Sequence, residues 1–159
     1  MRTRVVVSDQ SEADFYDLEG SHHELRLATR LSDTKARLHD RDFKSDRPGR
    51  MSDHAPLQGG RRGATAHHGT DGERRPRKHE AALFAHRIVE ALERAHRAGE
   101  FEGLVLMAPP SFLGLLRKAM PEPLRKKVLA EVAKDLMHQP QDAVRAHLPI
   151  TTFHENFEL

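Results

Sequence analysis

The sequence predicts an α/β fold, a mixed sheet of about five strands flanked by helices. Three observations carry this prediction. Three short strand-like runs crowd into residues 4–31, separated by turn signals. Leu104–Met107 is a continuous apolar run, as in a strand buried on both faces. Phe84, Ile88, Leu92 and Ala95 recur at helical spacing just before it. The predicted order is three strands, a long loop, then helix–strand–helix–strand–helix, with right-handed strand–helix–strand crossovers.

Arg4–Ser8 (RVVVS) is rich in β-branched residues and reads as the first strand. Glu12–Leu18 alternates, with Ala13, Phe15 and Asp17 on one face and Asp14, Tyr16 and Leu18 on the other. Gly20-Ser21 marks a turn. His23–Leu31 is the third strand, with Leu25, Leu27, Thr29 and Leu31 expected on one face. These three make an antiparallel meander. A helix is expected from Glu80 to its stop at Gly99. Pro109-Pro110 ends the buried strand, because proline cannot donate to a ladder. Pro110 then suits the first turn of a helix over Ser111–Arg117. Pro121-Glu122-Pro123 separates that helix from Leu124–Leu136, whose apolar residues fit a helix or a strand equally. Pro140–Leu148 reads as a last short helix. Residues 1–148 form one domain, and 149–159 a loose tail.

Residues 36–79 differ in character. Leu38, Phe43, Met51 and Leu57 are their only large apolar residues, and Gly and Pro recur in DRPGR (46–50), QGGRRG (58–63) and HHGTDGERRP (67–76). Such a stretch buries too little to offset its ordering entropy, so a long flexible basic loop is expected. It carries eleven basic and six acidic residues, while the rest of the chain is mildly acidic on either side of it. The overall charge of +2 therefore conceals one strongly positive internal segment.

Bulk composition narrows the classes. Without cysteine there is no disulfide framework and no thiolate zinc site. No apolar run approaches the ~20 residues of a membrane helix. MRTRVVVSDQ has too short an apolar stretch for a signal-peptide core, so a cytoplasmic protein without membrane insertion is expected.

The basic segment is the leading functional candidate. It reads as an arm that tracks phosphates through counterion release, with Arg47, Arg50, Arg61, Arg62, Arg74, Arg75, Arg77 and Lys78 as contacts. The competing reading is a solvated insertion with no partner. Phe43 is its only aromatic, which argues against a stacking platform for single strands. Gly59-Gly60 followed by Arg61 and Arg62 suits a backbone nest for phosphate or a plain glycine turn. No lysine–hydroxyl pair follows, so a nucleotide-hydrolysing loop is not predicted. His22-His23 and His67-His68, with Asp53 and His54, match no metal-site spacing and read as surface residues. Asp9, Asp14, Asp17 and Asp135 contain the carboxylates of a two-metal site, but turn and surface roles explain them better. Arg125-Lys126-Lys127 reads as a solvated face, or as an extension of the arm's positive surface if the two lie close.

Several pieces, taken in order, resemble the bacterial host-attachment protein family, named for a protein required for attachment to host cells. They are DRPGR at 46–50, Phe84-Ala85, Ala108-Pro109-Pro110, Leu113-Gly114-Leu115-Leu116-Arg117 and Lys134-Asp135-Leu136. The stretch Met51–Pro56 departs from the pattern but keeps Ser52 and His54-Ala55-Pro56. That family is similar to the middle domain of archaeal and eukaryotic class-1 release factors. The resemblance implies an RNase H-like fold and makes Val128–Asp135 a strand. In catalytic release factors the long loop carries Gly-Gly-Gln into the peptidyl-transferase centre. Here Arg61 follows Gly59-Gly60 and Gln58 precedes them, so ester hydrolysis is not implied. What is implied is a non-catalytic, cofactor-free module whose loop reaches ribosomal or transfer RNA. Two alternatives stand beside it: a protein-interaction factor acting indirectly in attachment, and a hydrolase at the Pro109-Pro110 corner with Asp135 as acid or base.

Overall fold

A computed structural model describes residues 1–20, 22–33 and 62–149, with side chains of the long helix described from Arg77 onward. The elements are β1 (Thr3–Ser8), β2 (Glu12–Glu19), β3 (Glu24–Ser32), α1 (Arg62–Arg97), β4 (Gly103–Ala108), α2 (Pro110–Ala119), α3 (Glu122–Arg125), β5 (Val128–Ala133) and α4 (Gln141–Ala146). The strands form a five-stranded sheet in the order β3-β2-β1-β4-β5. β1, β2 and β3 pair antiparallel as the expected meander, and β1–β4 and β4–β5 pair parallel. The sequence order, the mixed sheet and the flanking helices match the predicted α/β architecture.

Alternation in the strands feeds two apolar layers. Val6, Phe15, Leu104 and Leu106 face α1 and α2, meeting Phe84, Ile88, Leu92, Phe112 and Leu116. Val5, Val7, Tyr16, Val105 and Met107 face the other way, covered by Leu136 and Met137 before α4 and by Val144 and Leu148. β1 and β4 are therefore buried on both faces, as their unbroken apolar runs required.

The edge strands depart from simple alternation. Phe15 pairs with Thr29 and Tyr16 with Leu27, so Ala28 is an extra residue in β3. This bulge inverts the pleat. Leu25 joins the Tyr16 layer, Leu31 packs against the helix-covered layer, and Leu27 is left 43% exposed. The single apolar face expected for His23–Leu31 is thus split. β5 repeats the device: Leu104 pairs with Val128 and Val105 with Ala130, which leaves Leu129 unpaired. Bulges on exposed edges twist them away from pairing with another chain.

The helix expected from Glu80 begins at Arg62, although Gly63, Gly69, Gly72 and Pro76 fall inside it. Once a helix is nucleated, adding residues is far easier than starting it, so packing of the 81–95 face offsets weak propensity upstream. Its end is a Schellman motif: Glu100 N–H donates to Ala95 O and Gly99 N–H to His96 O, each at 3.0 Å. Gly99 sits at φ +72, a left-handed geometry that favours glycine. The ambiguous stretch 124–136 resolves into the one-turn α3 followed by β5, which ends at Ala133.

Candidate nucleic-acid interface

Of the residues predicted to contact phosphate, Arg47, Arg50, Gly59, Gly60 and Arg61 lie outside the described residues. Arg62, Arg74 and Arg75 belong to the α1 backbone, and Arg77 and Lys78 follow on the same helix, half-buried and exposed respectively. At 1.5 Å per residue, the α1 stretch before Ala81 is roughly 28 Å long. Among the α1 side chains described, from Arg77 onward, the buried positions run from Ala81 to Ala95 at helical spacing.

The root of this segment is tied down. Asp33 N–H donates to Ser11 O at 2.7 Å where β3 ends, and Arg87 Nη1 of α1 donates to Ser32 O at 3.4 Å. Ser11 itself lies in a turn held by Asp9 Oδ1, which accepts from the amides of Ser11 (2.8 Å) and Glu12 (2.7 Å). Exit and return of the arm therefore share one end of the sheet.

Acidic and basic side chains next to this root are paired off. Asp14 is buried, accepting from Arg30 Nε (2.6 Å), Arg30 Nη2 (3.2 Å) and the Tyr16 hydroxyl (3.4 Å). His138 Nε2 lies 3.0 Å from Glu12 Oε2, linking the 136–148 cover to β2. Asp17 binds Arg4 at the opposite sheet end, and Asp135 Oδ1 accepts the Met137 amide at 3.3 Å. The four carboxylates considered for a two-metal site, Asp9, Asp14, Asp17 and Asp135, are thus each engaged elsewhere and do not converge. His22 contributes its carbonyl to Arg145 Nη2 at 2.7 Å, and His23 occupies a turn at φ +52. His54 and Asp53 lie outside the described residues.

Burial pushes the Tyr16 phenol above its ordinary value of about 10, and the Asp14 charge and hydrogen bond add to the rise. Arg30 opposes it weakly. A raised folded value means that stability is fully present below pH 10 and falls as pH climbs through the folded value. Tyr16 is the only tyrosine and there is no tryptophan, so ultraviolet phenolate absorbance reads it directly. We expect ionisation later than in free tyrosine, and a partial return towards it in Asp14→Asn. Ionisation of the parent at the free-tyrosine pH contradicts the packing around Asp14.

Sequence reading missed Arg87, which ties α1 to the end of β3, and the Asp14–Arg30 pair. Their partners are distant in sequence, 55 and 16 residues apart. The signal available for Asp14 was its place on the same strand face as Tyr16 and Leu18. It missed also that Arg117 and Lys118 meet Arg125 around one groove of about 460 Å³. Arg125-Lys126-Lys127 lies at the sheet end opposite the root of the arm: Lys127 O accepts from Leu104 N–H at the start of β4, whereas Asp33 and Ser32 mark the end from which the arm departs.

The sheet order and the helix-covered face define a mixed α/β module, with the long basic segment inserted between β3 and β4. The structure is similar to the archaeal translation termination factor aRF1, with a TM-score of 0.52 and 12% identity, covering 98% of this chain and 37% of that one. The chain thus spans little more than a third of that factor. It belongs to the family described as proteins required for attachment to host cells, whose pattern matches residues 4–148. No curated protein matches the sequence. No described helix is long and apolar enough to cross a membrane.

Proposed function

We propose that this chain is a non-catalytic, release-factor-like module that engages structured RNA on the ribosome through its basic segment 36–79. The observation that carries the reading is the placement of charge. Eleven of the chain's twenty-six Lys and Arg residues lie in that segment, rooted at one end of a sheet whose fold resembles that of a translation termination factor. Arg61 in place of a glutamine after Gly59-Gly60 separates it from the catalytic loop, so binding without ester hydrolysis is the activity. Sedimentation with purified ribosomes at graded salt tests this. Changing Arg61, Arg62, Arg74, Arg75 and Arg77 to glutamine is expected to lower the slope of log affinity against log salt by about 4. Absent or salt-insensitive binding by the parent sinks the reading.

The family's description favours a second reading, a protein-interaction factor with an indirect role in attachment. Tagged protein recovered with the cell envelope and not with ribosomes selects it. The hydrolase reading at Pro109-Pro110 has no comparable support, since Asp135 is exposed and spent on the Met137 amide.

A further inference from the structure

We propose that the sheet end opposite the arm carries a second RNA-binding surface, a phosphate-holding groove between α2, α3 and β5. This rests on the RNA-binding reading and extends it to a two-sided contact. Arg117 and Lys118 close α2, Arg125 lies on α3, and all three line the groove, whose apolar wall is Met120 and Val128. Lys126 and Lys127 continue directly from α3.

Three features point to a ligand. The first is the state of the cations. Arg117 spends Nε (2.7 Å) and Nη2 (2.6 Å) on Glu131, which leaves the other N–H donors of its five for a ligand. Arg125 Nη2 donates to Arg117 O at 2.9 Å, so the two guanidinium groups are held in place before anything binds. Among the described residues, Lys118, Lys126 and Lys127 have no ion-pair partner. The second is their number. Basic residues in a last helical turn compensate the helix dipole, which accounts for Arg117 and Lys118. It accounts equally for Arg125 and for Lys126, the C-cap of α3, but not for Lys127, which lies past that cap and immediately before β5. The third is Gly114, inside α2 and on the groove lining. Glycine weakens a helix interior, and a Cβ built on Gly114 meets nothing within 4 Å. No neighbour demands a glycine there; what its missing side chain preserves is open groove.

Five cations against Glu122 and Glu131 suit a repeating phosphate backbone better than one carboxylate, with ribose or base edges against Met120 and Val128. Binding of the full chain to ribosomes and to transfer RNA, measured across salt, tests the assignment. The triple variant Lys118→Gln, Lys126→Gln, Lys127→Gln is expected to lower the salt slope by about 2–3. Gly114→Leu keeps every charge and improves the helix. It is expected to weaken binding several-fold with an unchanged or higher Tm. Parental affinity and slope in both variants, while the arm variants bind weakly, overturns the groove and leaves the arm reading intact. A parent that binds no RNA overturns both. Equal, equally lysine-dependent binding of polyglutamate overturns RNA as the ligand.

Discussion

Replacing Phe112 by alanine is expected to lower the unfolding free energy by about 3–5 kcal/mol. Phe112 is 0% exposed and lies 6.1 Å, centroid to centroid, from Phe84, which is equally buried. The pair is where α2 and α1 meet over the sheet. Its surroundings include Leu104 and Leu106 of β4, a strand hydrogen-bonded on both sides and so poorly able to move into a void. The cavity therefore stays largely open, and the cost falls at the upper end for its class. Since small domains have only about 5–15 kcal/mol in hand, the loss is a large share of the total. Urea unfolding reads it as a lower midpoint with an unchanged slope. A loss below about 1 kcal/mol means that α2 settles into the space and that the helix layer is soft.

The second large effect is expected at Asp17. Arg4 is buried, with a side chain only 6% exposed, yet it carries a full charge. Asp17 grips it twice, Oδ1 from Nε at 3.0 Å and Oδ2 from Nη2 at 3.2 Å, while Glu100 holds Nη1 at 3.0 Å and the Phe101 ring lies beside it. Asp17→Ala strands two faces of a desolvated guanidinium and is expected to cost about 2–3 kcal/mol. Partial exposure of the carboxylate, 31%, keeps the figure below that of a fully buried pair. Glu100→Ala is expected to cost under about 1 kcal/mol, because Glu100 is half exposed and screened. The double variant Arg4→Met, Asp17→Leu separates charge from packing. It should regain most of the loss, since an apolar pair leaves no stranded charge. A double variant as unstable as Asp17→Ala shows that the ion pair itself is indispensable to the packing.

What could be read from sequence follows the periodicities that survive in the fold. β1 and β4 are buried on both faces and announce themselves as VVV and LVLM. Gly99 and Pro109-Pro110 mark true ends because their backbone constraints are local. The edge strands were harder, since the extra residues Ala28 and Leu129 reverse the alternation midway. Leu124–Leu136 contains two elements, so neither a helical nor an extended period fits throughout. The first half of α1 hid behind glycines and Pro76, whose local preference is overridden by the helix they join. At the candidate sites, charge and composition singled out the basic segment, but not the Arg117–Glu131 pair or the groove beside it, which arise only when α2 and β5 fold together.

The parallel pairing of Thr3 with Gly103 closes a chain loop of about a hundred residues, and the arm is part of that loop. Closure entropy grows only with the logarithm of loop length, so doubling the loop costs about 0.6 kcal/mol. Lengthening or trimming the arm therefore alters equilibrium stability by tenths of a kcal/mol. Its burden is kinetic: β1 must wait for a distant strand, a high-contact-order step that slows folding. The sheet thus leaves the arm's length and composition almost free to drift, with the pace of folding as the main restraint.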